Sequence, residues 1–96
     1  MNQLQLSAVV VEKKAKRYTP AGLPVVEMLI QHQSAVQEAG LSRTVELLMS
    51  VKAVGTTAER LEQVPLGTGL RCEGFLAPAR HQSKRLILHL TQFELE

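Results

Sequence analysis

Four cations, Lys13, Lys14, Lys16 and Arg17, crowd into five consecutive positions, and a second group, Arg80, Lys84 and Arg85 with His81 among them, crowds into six. Seven of the eleven lysines and arginines thus lie in two short segments of a chain whose formal net charge is only +2. The chemistry open to such segments is contact with a polyanion. Each phosphate that a lysine or arginine neutralises releases condensed counterions, so binding gains entropy and becomes salt-dependent. A short basic run taken alone is more often a solvated turn, so the weight rests on where the two runs fall in the fold. His81 adds charge to the second group below neutral pH. Arg43, at the start of the third strand-like run, and Lys52, near its end, could extend a cationic path across the sheet.

Other chemistries have less to stand on. Cys72 has no histidine at a recognisable motif spacing, and in its alternating segment it reads as a small buried hydrophobe. His32, His81 and His89 together with Cys72 lack the paired spacings of a zinc site, so neither a metal nor another cofactor is expected. No glycine-rich loop leads into a lysine, which removes the case for an ATPase, and the acidic residues are scattered. The chain reads as a binding protein rather than an enzyme.

Single-strand binders lay bases on aromatic rings, each contributing on the order of 1 to 3 kcal/mol. This chain has only Tyr18, Phe75 and Phe93. Phe75 and Phe93 sit in apolar strand patterns and read as core, which leaves Tyr18, beside the cations, as the one residue placed to stack. Binding is therefore expected to be electrostatic, salt-sensitive and without sequence preference.

The elements that would position these residues can be read from the apolar pattern. Ninety-six residues suit a single domain, 1–96, with one modest core. A lone cysteine makes no internal disulfide, and the opening Met-Asn-Gln-Leu-Gln-Leu lacks a signal-peptide pattern, so a cytoplasmic protein is expected. No apolar run approaches the roughly 18 to 20 residues that span a bilayer, so no membrane association is expected.

Residues 4–11 alternate and then fill both faces, as in a long strand that serves two halves of a barrel. Thr19-Pro20-Ala21-Gly22 reads as a reversal just after the first basic run. Residues 25–32 and 44–54 read as the second and third strands, the latter with a helical alternative around Leu47 to Met49, and Ser34 to Ser42 as a connection that could hold a helical turn. Thr56, with Glu59 three residues later, predicts a capping box opening a helix over 56–63, which Val64-Pro65 ends. Residues 70–77, with Gly74 marking a bulge, and 86–95 supply the fourth and fifth strands.

This order predicts an all-β five-stranded Greek-key OB-fold barrel with a short helix between strands 3 and 4. In that fold the loops between strands 1 and 2 and between strands 4 and 5 commonly hold oligonucleotides, and the two basic runs fall in those two loops.

Leu4-x-Leu6-Ser7, Thr19-Pro20-Ala21-Gly22-Leu23-Pro24, Gln31-His32-Gln33-Ser34, Glu38-Ala39-Gly40-Leu41-Ser42-Arg43, Gly74-Phe75-Leu76 and Leu88-His89, in that order and spacing, resemble the bacterial primosomal replication protein N (PriB) family over nearly the whole chain. The resemblance implies a non-catalytic homodimer related to single-stranded DNA-binding protein. Such a dimer binds single-stranded DNA, acts with the PriA helicase at stalled replication forks and in some bacteria hands over to DnaT. By position it implies that Arg43 is a cation of the DNA-facing strand, Arg17 one of the first loop, and Arg80 and Lys84 cations of the last. Leu41 and Glu46 stand where family members can carry a stacking phenylalanine and tryptophan, which implies weaker DNA binding here.

Two rival readings fit the same residues. One is an RNA-binding OB module, which usually carries aromatic residues on strands 2 and 3, although residues 25–32 have none. The other is a protein-interaction adaptor whose basic loops meet acidic partners.

Overall fold

Leu4, Leu6, Ala8 and Val10 alternate with polar or exposed residues, and the structure buries Ala8 and Val10 in the core while Leu4 and Leu6 pack against it. In the computed structural model, which describes residues 1–96, this run is β1 (Leu4–Lys13). It is followed by β2 (Arg17–Tyr18), β3 (Pro24–Glu38), β4 (Leu41–Val54), α1 (Thr56–Glu62), β5 (Gly69–Pro78) and β6 (Leu86–Leu95). No helix is long and apolar enough to cross a membrane.

β1 serves both halves, as its filled pattern predicts. Leu4–Val9 pairs antiparallel with β5, Val9–Lys13 pairs antiparallel with β3, and the register slips between Val10 and Glu12. The slip bends the strand from one sheet into the next. With the order β1-β5-β6-β4-β3, the β1–β3 pairing closes a five-stranded barrel, and β2 is a two-residue addition on the outer edge of β3. β4 and β6 run parallel, at Val51 opposite Leu88 and Lys52 opposite His89. This is the OB-fold barrel.

Inside lie apolar side chains alone, among them Val10, Ile30, Leu70, Leu88 and Phe93, and α1 adds Ala58 and Leu61. Cys72 is 1 % exposed, and burial in this apolar setting pushes its thiol up to about 11. It is the inert small hydrophobe its pattern predicts.

Three details depart from the sequence reading. Ser34 to Ser42 is not a connection: β3 runs to Glu38, β4 begins at Leu41, and the pairing continues without a slip from Val25–Val54 to Glu38–Leu41. The reversal takes two residues, Ala39 (φ 53°) and Gly40 (φ 76°), both in the positive-φ geometry of a tight hairpin turn. The glutamines and serines of this stretch resemble a loop because the hairpin outgrows the barrel. Its outer half is held by ladder hydrogen bonds rather than by burial.

The capping box also does not form. Gly55 (φ 78°) occupies the N-cap and no side chain caps the helix. The Thr57 hydroxyl instead donates to the carbonyl oxygen of Thr91 at 3.4 Å, tying α1 to β6.

Phe93 is buried as expected, but Phe75 is not core: it is 40 % exposed. In β5 Leu70, Cys72 and Gly74 point inward, so Arg71, Glu73 and Phe75 share the outer face. The bulge expected at Gly74 is present, as a register slip between Glu73 and Gly74 against β6. A Cβ at Gly74 would stand 1.9 Å from the carbonyl oxygen of His89, so only glycine permits the approach.

Candidate nucleic-acid interface

The first basic run is less of a loop than its composition suggests. Lys13 ends β1, Arg17 and Tyr18 form β2 opposite Val25 and Pro24, and only residues 14–16 lie between. The reversal falls where expected: Gly22 N–H donates to Thr19 O at 2.8 Å, Thr19 N–H to Leu23 O at 2.9 Å, and Gly22 has φ 89°.

Much of this run's charge is committed within the protein. The Lys13 ammonium donates to the carbonyl oxygens of Glu62 (2.9 Å) and Val64 (2.7 Å), which puts a cation at the C-terminal end of α1. Lys16 pairs with Glu62 at 3.1 Å, and this pairing holds its ammonium above the ordinary lysine value. The Lys16 ammonium also lies 5.4 Å from the centre of the exposed Tyr18 ring. Arg17 pairs with Glu27 at 3.0 Å. Partial burial pushes the Glu27 carboxyl up, but the Arg17 hydrogen bond, with the charges of Arg17, Lys14 and Lys52, outweighs it and holds Glu27 below its usual value. Lys14 alone of the four makes no ion pair or side-chain hydrogen bond.

The second run spans the β5–β6 connection. Ala79 N–H donates to Arg85 O at 2.8 Å and Ser83 N–H to Arg80 O at 2.9 Å, with Gln82 at φ 61° in the turn. Arg80, His81 and Lys84 are exposed and make no ion pair. The Arg85 guanidinium reaches across to β4 and donates to Ser50 Oγ at 2.9 Å.

That contact brings the two runs together. Lys13, Lys14 and Arg85 line one groove of about 340 Å³ with Glu12, Glu27, Leu29 and Ser50. Exposed ion pairs such as Arg17–Glu27 contribute little stability, so a phosphate can take the place of the carboxylate at small cost.

Arg43 is set apart from this groove. It sits near the hairpin tip, paired with Glu38 at 3.0 Å, with both side chains about two-thirds exposed. It lies seven positions before Ser50 along β4, roughly 23 Å of strand. The unbroken register also puts Arg43 and Leu41 on the face of β4 that continues the barrel interior, and Glu46, Leu48, Ser50 and Lys52 on the outer face. Arg43 and Lys52 therefore do not extend one path on one face. The same alternation separates Leu41 from Glu46, which lies opposite Gln33.

One pairing escaped the sequence reading. Phe75 lies opposite His89 across the β5–β6 ladder, and their rings stack with centroids 4.9 Å apart and planes 6° from parallel. The alternation carries the signal, since Phe75 shares its face with Arg71 and Glu73, but the apolar residues around it give the segment the look of core. Partial burial, and then the nearby Lys52, lowers the His89 imidazole below its ordinary value.

The family described as "Another single-strand binding protein family" matches residues 2–92. Replication restart protein PriB of Bordetella pertussis is 53% identical over 92 residues, covering 96% of this chain and 86% of its own. The protein of the same name from Nitrosomonas europaea is 35% identical over 89 residues, covering 93% and 82%. Among solved structures, PriB from Ralstonia solanacearum superposes with a TM-score of 0.91 at 38% identity, over 100% of this chain and 98% of that one. The wild-type single-stranded DNA binding protein from Thermus aquaticus shares the fold, with a TM-score of 0.78 at 22% identity over 100% of this chain and 50% of that one. With the barrel, its two facing basic segments and these relatives in agreement, the chain belongs to the replication restart protein PriB family.

Proposed function

We infer that this chain binds single-stranded DNA without sequence preference and serves in replication restart as a non-catalytic accessory that stimulates the PriA helicase at stalled forks. The observation that carries the reading is the groove in which Lys14 and Arg85, from two distant basic segments, meet above Leu29 and Ser50. A single-stranded polyanion fits such a groove, and membership of the PriB family points to the same ligand class.

The nucleic-acid-binding residues of this reading are Lys14, Arg17, Tyr18, Arg80, His81, Lys84 and Arg85. Lys13 and Lys16 act mainly by holding the segment to α1, and Arg43 serves a strand long enough to reach the hairpin. Because Glu12 and Glu27 also line the groove, affinity is modest, and the helicase contact carries a large share of recruitment.

A homodimer, the PriA helicase and, in some settings, DnaT are the partners of this reading, and the cytoplasm its compartment. The edge of β1 over residues 4–8 that faces away from β5 carries no strand, which leaves a place for a second copy.

Fluorescence anisotropy of labelled oligo-dT, repeated over a range of salt, tests the reading. The logarithm of the affinity is expected to fall linearly with the logarithm of salt, with a slope of about −0.7 per neutralised phosphate. Lys14→Ala and Arg85→Ala are each expected to flatten that slope. Binding that salt leaves unchanged, or tighter binding to duplex DNA or to oligo-rU, argues against it. Unwinding assays with PriA and sedimentation equilibrium test the partners.

A further inference from the structure

Phe75 and His89 lie on the same outer surface as the groove. Ser50, which floors the groove, and Lys52 are two residues apart on one face of β4, about 7 Å along the strand. Lys52 is opposite Glu27 on β3 and His89 on β6, and His89 is opposite Phe75 on β5. One row, Glu27-Lys52-His89-Phe75, thus crosses four strands over roughly 14 Å, starting at the carboxylate that holds Arg17.

The far end of this row is built as a flat platform. The two rings form an offset stack, and the 40 % exposure of Phe75 leaves much of its ring surface to solvent. The stack is preorganised by the backbone, because the close approach of Gly74 to the His89 carbonyl sets the register that puts the rings together. Beside it, Lys52, Val54, Thr57, Phe75 and His89 line a shallow hollow of about 310 Å³. Lys52 makes no ion pair or hydrogen bond, so its ammonium is free for an external anion.

We propose that Phe75 and His89 form a base-stacking subsite that continues the groove, taking a nucleobase of single-stranded DNA whose phosphate is held by Lys52. An exposed aromatic face next to an unpaired cation is what a sequence-tolerant single-strand contact requires, since every base has a π-face and every nucleotide a phosphate. The lowered His89 value suits this role, because it favours a neutral ring near pH 7. The subsite offsets the lack of an aromatic residue at Glu46 by placing the stacking surface on β5 and β6 instead of on β4. The inference rests on the reading of the chain as a single-strand binder.

The chain contains no tryptophan, so Phe75→Trp introduces its sole tryptophan emission at the subsite. Oligo-dT is titrated into the wild type, Phe75→Leu, His89→Gln and Phe75→Trp. Phe75→Leu is expected to weaken binding about 5- to 30-fold while keeping the wild-type circular dichroism. The emission of the Phe75→Trp protein is expected to be quenched on saturation, and adding Lys14→Ala to it should raise the concentration needed without removing the quench. Unchanged affinity in Phe75→Leu together with unmoved emission overturns the subsite and leaves single-strand binding standing. If the wild type binds no oligo-dT even at low salt, both readings fall. Should Phe75→Leu not fold, the emission of Phe75→Trp decides alone.

Discussion

Lys13 Nζ donates to the carbonyl oxygen of Val64 at 2.7 Å, so a residue of the basic cluster closes the exit of the only helix. It reaches the Glu62 carbonyl as well, satisfying one of the acceptors that the end of α1 leaves without a partner and binding the residue just beyond the cap. Adjacent cations in this run therefore have different tasks.

Lys13→Ala and Lys14→Ala should separate those tasks. Losing charged hydrogen bonds to a helix end costs about 1 kcal/mol, and in a domain of this size that lowers Tm by roughly 4 to 8 °C. Lys13→Ala is expected to show that loss with a small effect on oligo-dT affinity. Lys14→Ala is expected to keep the wild-type melting curve and lose affinity. Thermal melts by circular dichroism beside anisotropy titrations check both, and the opposite assignment would mean that the helix contact is incidental.

Gly74 and Gly69 lie on the same strand in different surroundings. A Cβ at Gly74 meets the His89 carbonyl oxygen at 1.9 Å, whereas one at Gly69 meets Glu96 Cβ at an ordinary 3.7 Å. Gly74→Ala must push β5 and β6 apart and is expected to cost at least about 2 to 4 kcal/mol, against less than about 1 kcal/mol for Gly69→Ala. Urea denaturation of the two variants makes the comparison.

Glu46 occupies the outer face of the β3–β4 hairpin, opposite Gln33 and two residues from Leu48. A carboxylate there repels phosphate, and a ring would supply a stacking surface. Glu46→Trp is expected to tighten oligo-dT binding about 5- to 30-fold and reduce its salt dependence. No gain in the same titration would remove this part of the hairpin from the DNA path.

His89 links stability to pH. Its imidazole is lowered in the folded protein, by burial first and by Lys52 second, so the unfolded chain binds the proton more readily. Its contribution is fully present above the ordinary imidazole value of about 6.5 and is lost as pH falls through the lower folded value. Tm measured from pH 8 to pH 5 should therefore decline at the acid end, and His89→Gln should decline less steeply. Parallel curves for the two proteins would assign the acid loss to other groups.

Alternation and turn chemistry made most of the barrel legible. Leu4 to Val11, Val25 to Ile30 and Leu86 to Leu95 carry the β-branched and alternating patterns that suit strands. The reversal at Thr19 to Gly22 and the bulge at Gly74 follow from proline and glycine stereochemistry. The outer hairpin was illegible because a strand solvated on both faces loses the apolar period by which strands are recognised. The helix cap was misread for a different reason: Gly55 takes the N-cap geometry and the Thr57 hydroxyl is drawn to Thr91 on β6.

By itself the sequence determined the fold, the family and the two concentrations of positive charge, because each depends on the types and local order of residues. Tertiary structure decided which charges are available. Whether a lysine meets a phosphate or a helix carbonyl depends on partners 49 to 51 residues away, as for Lys13 with Glu62 and Val64. It also decided that Phe75 faces solvent beside His89, since a bulge changes which residues of two strands come opposite each other. Charge and aromaticity are properties of a residue, whereas availability is a property of its neighbours, which only the closed barrel brings together.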